Sequence, residues 1–302
     1  MSKNITVGCR KSTLAVIQAK IVIRELKKRH PKYNFILKKI STHADKFQNK
    51  TLKDLATKGA FVKELENALL TRKIDMAVHS AKDLPVNMAE GLEIPCILKR
   101  ENPYDVLIAK GKQKLKNLPN GARIGTSSLR RIAQLKNIRP DLRFVEIRGN
   151  LETRIKKILK QNLDGIILAY AGMKRLGLKE HISEILNILP CPGQGALAVE
   201  TRKDAPEIKE ILARINHKFS FQEIVAERAF LQRLGGGCNV PIGCLARATK
   251  DKIVLEGLVS SSDGKIVICQ KLATQGAQAE ELGRRLADIL LEKGADKLLW
   301  QK

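Results

Sequence analysis

The sequence predicts an α/β protein of more than one domain with a smaller α+β portion at its end, and three observations carry that expectation. Short apolar runs at Ile5–Gly8, Ile74–Val78, Val106–Ile108 and Gly165–Ala169 have the length and aliphatic content of buried strands. Between such runs, apolar residues recur at helical spacing, as at Leu14, Ile17 and Ile21. The length, 302 residues, exceeds what one hydrophobic core usually serves.

In order, the Ile5–Gly8 strand leads into a helix that runs from about Leu14 to Arg29 and stops at His30-Pro31. Phe35–Ile40 is a second strand. His43 to Lys58 is polar and lacks strong periodicity, so a loop is expected there, and Phe61–Leu70 resumes helical spacing. The Ile74–Val78 strand ends in His79-Ser80-Ala81-Lys82-Asp83-Leu84-Pro85. After the Pro103 breaker a second series begins with Val106–Ile108 and the turn Pro119-Asn120-Gly121. Arg123–Gly125 passes through Thr126-Ser127-Ser128 into a helix from Leu129; Phe144–Ile147 passes through Arg148-Gly149-Asn150 into another. Alternation of this kind predicts mostly parallel sheets. The last segment differs: Asp263-Gly264 joins Ile253–Ser260 to Lys265–Leu272 as a hairpin, and Leu282, Leu286, Ile289 and Leu290 mark one amphipathic helix. The expected domains are 1–99 with 196–217, then 100–195, then 218–302.

Composition narrows the function. There are 56 Lys and Arg against 31 Asp and Glu, a formal net charge of +25, which favours polyanionic ligands or a solvated basic surface. Nucleic acid is weighed and set aside: the lysines are spread over every element, aromatic residues are 4%, and no zinc-finger or RNA-binding signature is present. Ile5 to Cys9 is too brief for a signal-peptide core or a membrane span, so a soluble cytoplasmic protein is expected. Six cysteines without a C-x-x-C pair read as thiols, mostly buried, with Cys269 beside Ile268 typical of the buried kind. No metal site is expected, because Cys238 and Cys244 lack the spacing and the histidines to complete one.

Three strand-to-helix junctions carry hydroxyls and arginines: Arg10-Lys11-Ser12-Thr13, Thr126 to Arg131, and Arg148-Gly149-Asn150 with Arg154 one turn on. At the carboxyl ends of parallel strands, helix N-termini favour anions and Arg adds a planar fork for carboxylates. Taken singly, each is equally readable as a helix cap beside a surface Arg. Asp83 is either a turn-capping residue or a carboxylate able to stabilise a cation, and His79 reads as a structural histidine. The thiol of Cys238 follows Gly235-Gly236-Gly237, which leave the sulfur sterically open, so a structural and a chemical role both stand. Gly193-Gln194-Gly195-Ala196 is a plain turn or a hinge-like return of the chain.

Taken together, these motifs closely resemble the hydroxymethylbilane synthase (porphobilinogen deaminase) family. The resemblance runs through Arg10-Lys11-Ser12 with Ala15 and Gln18, Lys58 to Glu66, His79 to Pro85, Gly125 to Arg131, Arg148-Gly149-Asn150 with Arg154, Gly172 to Gly177, Gly193 to Ala196, and Gly236-Gly237-Cys238 with Val240 to Gly243. After about residue 245 it rests on the hairpin and helix pattern alone. Two departures are Ala81, where many members have Met, and Asp54, where a basic residue is expected.

The resemblance implies two periplasmic-binding-protein-like lobes plus a small C-terminal domain carrying the cofactor cysteine. It implies a transferase of porphyrin (haem) biosynthesis that joins four porphobilinogen molecules into hydroxymethylbilane with loss of ammonia. The implied cofactor is a dipyrromethane held by a thioether to Cys238, and the implied catalytic carboxylate is Asp83. Lys82, Thr126, Ser128, Arg130 and Arg131 would bind the cofactor's carboxylates. Arg10, Ser12, Arg148, Arg154 and Arg175 would bind incoming and growing pyrroles, under a loop formed by His43 to Lys58. A monomer with no nucleic-acid or membrane partner is expected. The rivals are a non-catalytic anion-binding protein, which leaves the Gly-Gly-Cys loop unexplained, and a nucleic-acid-binding protein.

Overall fold

In β1 (Asn4–Arg10), Ile5, Val7 and Cys9 are all buried. Helix α1 (Thr13–Arg29) follows because Ser12 caps it, its Oγ accepting the Ala15 N–H at 3.4 Å. Ala15, Gln18, Ala19, Val22 and Leu26 form its buried stripe, and Lys27, Lys28 and Arg29 complement the dipole in its last turn. The computed structural model describes residues 3–42, 62–235, 240–276 and 278–299. The expected loop from His43 to Lys58, with Asp54, and the thiol of Cys238 lie outside those residues.

The chain folds as two compact units, residues 1–101 with 196–221 and residues 102–195 with 222–302. The first holds β1, α1, β2 (Asn34–Ile40), α2 (Lys63–Leu70), β3 (Met76–Ser80) and β4 (Leu92–Ile97). Strands β1, β2 and β3 are parallel, and β10 (Leu197–Arg202) runs antiparallel between β3 and β4 in the order β2-β1-β3-β10-β4. The strand expected to begin at Ile74 begins at Met76 instead. Arg72, at φ +57°, ends α2 in a left-handed cap in which Lys73 N–H bonds Ala68 O at 2.8 Å, and Ile74 packs back on Leu65 and Leu69. Neither β4 nor β10 was evident from the sequence. β4 contains Pro95 and is tolerated only because it lies at the sheet edge. β10 is buried at all six positions, Glu200, Thr201 and Arg202 included, so no alternation marks it.

The second unit repeats the plan. β5 (Asp105–Ala109), β6 (Arg123–Gly125), β7 (Arg143–Val145), β8 (Gly165–Ala169) and β9 (Glu184–Leu186) form a sheet in the order β7-β6-β8-β5-β9, with β5 antiparallel to β8 and β9. In both sheets the antiparallel strand is the first one after the chain crosses from the other unit. Helices α3 (Leu129–Ile138), α4 (Leu151–Lys160) and α5 (Tyr170–Arg175) follow β6, β7 and β8. The fold class is therefore α/β, as expected, with the strand direction mixed at one position of each sheet.

A three-stranded antiparallel sheet of β11 (Ile242–Ala248), β12 (Lys252–Ser260) and β13 (Val267–Gln275) completes this unit. Phe230 of α7 (Lys218–Arg233), Leu255, and Leu282 and Leu286 of α8 (Ala279–Glu292) share its core. Two further short helices are α6 (Pro206–Ala213) in the first unit and α9 (Ala295–Leu299) here. Cys269 corrects an expectation: it is exposed, because β13 is an edge strand whose residues alternate between partial and full exposure. Among the described residues, no helix is long and apolar enough to cross a membrane.

Candidate active site

In the first unit, β1 and β3 are parallel neighbours, with Val7 opposite Met76 and Gly8 opposite Ala77. The loops after them leave one edge of the sheet, where parallel strands present helix N-termini and open backbone N–H groups. Arg10 ends β1 and Ser12 follows in the first loop, Asp83 comes from the second, and all three line one small pocket of about 80 Å³ with Gln18, His79 and Ser80. Gln18, buried on α1, donates its Nε2–H to Ser80 Oγ at 2.8 Å and ties the helix to the start of the Asp83 turn. That turn is a single 3₁₀ turn, Ala81–Asp83, fixed at its base by Ala81 N–H to Ala196 O at 3.0 Å. Asp83 is exposed and Lys82 half-buried.

The second unit arranges its candidates the same way. Thr126 and Ser128 follow β6, Arg148 follows β7, and Arg175 belongs to the helix after β8, so three adjacent parallel strands deliver them to one edge. Thr126 is buried and its Oγ1 accepts the Ser128 N–H at 3.2 Å. Asn150 caps α4 by accepting Thr153 N–H at 2.8 Å, and Gly149 at φ +110° makes the turn before it. Arg154 donates Nε–H to Gly149 O at 2.8 Å, bracing this loop, while Arg148 pairs with Glu146 through its Nε at 3.0 Å. Arg175 donates to Gly195 O at 2.7 Å, so the Gly193–Gly195 return is held by a side chain already assigned to the site.

Arg130 and Arg131 occupy a setting the sequence did not disclose. Both are buried, at 5% and 7% exposure, around fully buried Asp105. Arg130 Nη1 lies 2.7 Å from Asp105 Oδ2, and Arg131 grips Oδ1 through Nε at 3.1 Å and Nη2 at 2.7 Å. Arg131 spends its remaining nitrogen on Ile167 O at 2.8 Å. Burial, the largest single influence, opposes the Asp105 charge, yet the two guanidiniums together hold its carboxyl well below the ordinary range. Two cations against one carboxylate leave one net positive charge at the start of α3. Gln194 Nε2 adds a bond to Asp105 Oδ1 at 2.9 Å, and buried Glu227 accepts Gly193 N–H at 2.6 Å and Ala246 N–H at 2.8 Å. In the sequence Asp105 is only an acid between the Pro103 breaker and the apolar run Val106–Ile108, and nothing local marks its partners.

His79, expected to be a structural loop histidine, lies instead within β3, 5% exposed, with Nε2 2.9 Å from Oε2 of buried Glu200. Among the described residues, no cluster of His, Cys, Asp and Glu is arranged to hold a metal ion.

Residues 5–210 match a family model described as porphobilinogen deaminase, dipyromethane cofactor binding domain, and residues 221–292 match the porphobilinogen deaminase C-terminal domain. Over 302 residues the chain is 48% identical to a porphobilinogen deaminase of Carboxydothermus hydrogenoformans, covering 99% of this chain and 97% of that one. It is 45% identical to the Bacillus subtilis porphobilinogen deaminase, covering 99% and 96%. Among solved structures, a Bordetella pertussis BvgS VFT2 domain aligns at 16% identity and TM-score 0.41, over 70% of this chain and 85% of that one. A YaeC-family lipoprotein of Enterococcus faecalis aligns at 17% and 0.44, over 72% and 92%.

Proposed function

The chain belongs to the porphobilinogen deaminase family, and we propose that it joins four porphobilinogen molecules head to tail into hydroxymethylbilane with release of ammonia, a step of tetrapyrrole and haem biosynthesis. The observation that carries this reading is the convergence of Asp83, Arg10 and Ser12 on one pocket. A carboxylate beside a guanidinium and a hydroxyl suits a substrate bearing both carboxylates and an aminomethyl group.

The donors in the second unit fit a carboxylate-rich cofactor. The pair Arg130 and Arg131 retains a net positive charge after Asp105, and the hydroxyls of Thr126 and Ser128 flank the N-terminus of α3. These residues, with Lys82, are assigned to a dipyrromethane carried as a thioether on Cys238. When bound, that group supplies the free α-carbon on which the chain is extended. Arg10, Ser12, Arg148, Arg154 and Arg175 are assigned to the carboxylates of incoming and added pyrroles. Asp83 stabilises the cation formed as the aminomethyl group of porphobilinogen loses ammonia. Before that it gives a proton to the departing amine, and after the new bond forms it takes back the proton displaced from the α-carbon. The chain acts as a monomer in the cytoplasm, where cysteines stay reduced, in three domains spanning 1–99 with 196–217, 100–195 and 218–302.

Intact mass under denaturing conditions tests the assignment. The wild-type chain carries a covalent excess equal to a dipyrromethane, and Cys238→Ala folds without it and loses nearly all turnover. Normal turnover by that variant, or a wild-type mass equal to that of the bare sequence, refutes the attachment.

A further inference from the structure

β11 is an outer strand of its three-stranded sheet, so the N–H groups on its open side need partners from elsewhere. Ala246 N–H finds the Glu227 carboxylate at 2.8 Å, and Cys244 N–H donates to Pro190 O at 3.0 Å. One residue back, Gly243 lies so close to Leu189 that a Cβ on it would stand 3.0 Å from both Leu189 Cβ and Leu189 O. Residues 189–191 therefore run beside β11 in the same sense, and Cys244 comes level with Pro190 and Cys191. Pro190 and Pro192, the residues placed to return a ladder bond, have no N–H, so the pairing rests on a single hydrogen bond. At a strand spacing of ~4.8 Å, the Cα atoms of Cys191 and Cys244 fall within the ~4.4–6.8 Å that a disulfide spans.

Both residues are thiols, Cys191 half-buried and Cys244 fully buried. Arg130 stands beside them: its Nη1 donates to Leu189 O at 2.7 Å, and both thiols lie within reach of its charge. A neighbouring cation favours the thiolate, which is the attacking form. Cys9 and Cys96 make the contrast, since burial pushes their thiols up to about 11 and about 12 and keeps them protonated. We propose that Cys191 and Cys244 are a modification site, forming a reversible disulfide by exchange with a low-molecular-weight disulfide. Cys191, the more accessible, attacks one sulfur of that reagent as the thiolate and expels a small thiolate. Cys244 then attacks the Cys191 sulfur of the mixed disulfide and expels the second. One S–S bond forms and one breaks, the protein gives up two electrons, and its two thiol protons leave on the released small thiols. The new bond clasps β11, the strand after the Cys238 loop, to the segment before the Gly193 turn. It closes a loop over residues 192–243, which includes the stretch 196–221 that belongs to the first unit, and so restricts the unfolded chain. A bond of this kind is the transient, redox-sensing type found in reducing compartments. It does not depend on the reaction proposed above.

The test treats the full chain, as purified, with oxidised glutathione in the presence of a dithiol peptide that reports the reagent's action. After alkylation and digestion, mass spectrometry should find the Cys191 and Cys244 peptides joined, two hydrogens lighter than their sum, and separate again after dithiothreitol. Cys244→Ala should stop at a glutathione mixed disulfide on Cys191, and Cys191→Ala should leave Cys244 a thiol. The joined chain should unfold at higher urea than the reduced one, a difference absent from both variants. Three results overturn the proposal: both cysteines alkylated although the reporter peptide is oxidised, glutathione persisting on Cys191 beside a Cys244 thiol in the wild type, or either cysteine joined to a different one. Should neither variant fold, the wild-type peptide map decides by itself. Exposed Cys269 serves as the internal control, since it should take up glutathione and form no link within the chain.

Discussion

Asp83 is exposed on a one-turn 3₁₀ segment held at its base by a main-chain bond to Ala196 and at its start by the Gln18–Ser80 bond. Its carboxylate makes none of these bonds, so Asp83→Asn is expected to fold normally. Turnover should drop by at least the ~10²–10⁴-fold that acid–base catalysis supplies. Single-turnover ammonia release, measured beside equilibrium porphobilinogen binding, checks this: a wild-type rate would reduce Asp83 to a turn residue. Arg154 has two duties, because its Nε already braces Gly149 O. Arg154→Leu should weaken carboxylate binding by ~1.5–3 kcal/mol per charged hydrogen bond lost. Arg148→Leu, which loses an ion pair to an exposed Glu146, should act in the same direction with less disturbance of the α4 cap. Unchanged kinetics in both would make them surface arginines.

At the level of elements, the decisive feature is how α3 is fixed. Its first turn is anchored through Arg130 and Arg131 to Asp105 on β5, and the same carboxylate takes Gln194 from the returning chain. Asp105→Asn leaves two buried guanidiniums without their counter-charge and should cost about 3–5 kcal/mol, read from urea unfolding. The pH dependence follows from the direction of the shift. Because the folded carboxyl titrates below its unfolded value of ~3.9, its contribution is complete above that pH and is lost as pH falls through the folded value. The gap between wild type and variant should therefore be constant near neutrality and close below about pH 4. A gap that stays constant into acid would mean the pair contributes nothing through its charge. The hairpin tip adds a second brace: Gly264, at φ +75°, approaches α3 so closely that a Cβ there would stand 2.3 Å from Ala133 O. Asp263-Gly264 announced the turn, but not what the turn rests against.

For the whole molecule, the charge of +25 is the property most open to misreading. A nucleic-acid-binding protein of this charge should hold generic DNA with an affinity falling steeply with salt. The expected outcome is weak, easily screened binding that does not compete with porphobilinogen. Tight binding at physiological salt that displaces substrate would overturn the choice of ligand class. The sequence by itself determined the α/β class, the strand-to-helix junctions, the hairpin and the motifs of the family, because periodicity, caps and turn chemistry are local and each junction carries its own residues. Tertiary structure decided the rest. Leu197–Arg202 is a strand only because neighbours on both sides complete its ladder, and its buried Glu200 and Arg202 defeat any alternation rule. Cys269 is exposed on β13, whose residues alternate between partial and full exposure, a placement that its apolar neighbour could not reveal. Asp105 with its two arginines, and His79 with Glu200, join residues far apart in the chain. Such burial and pairing depend on which strands lie side by side, and no local pattern encodes that.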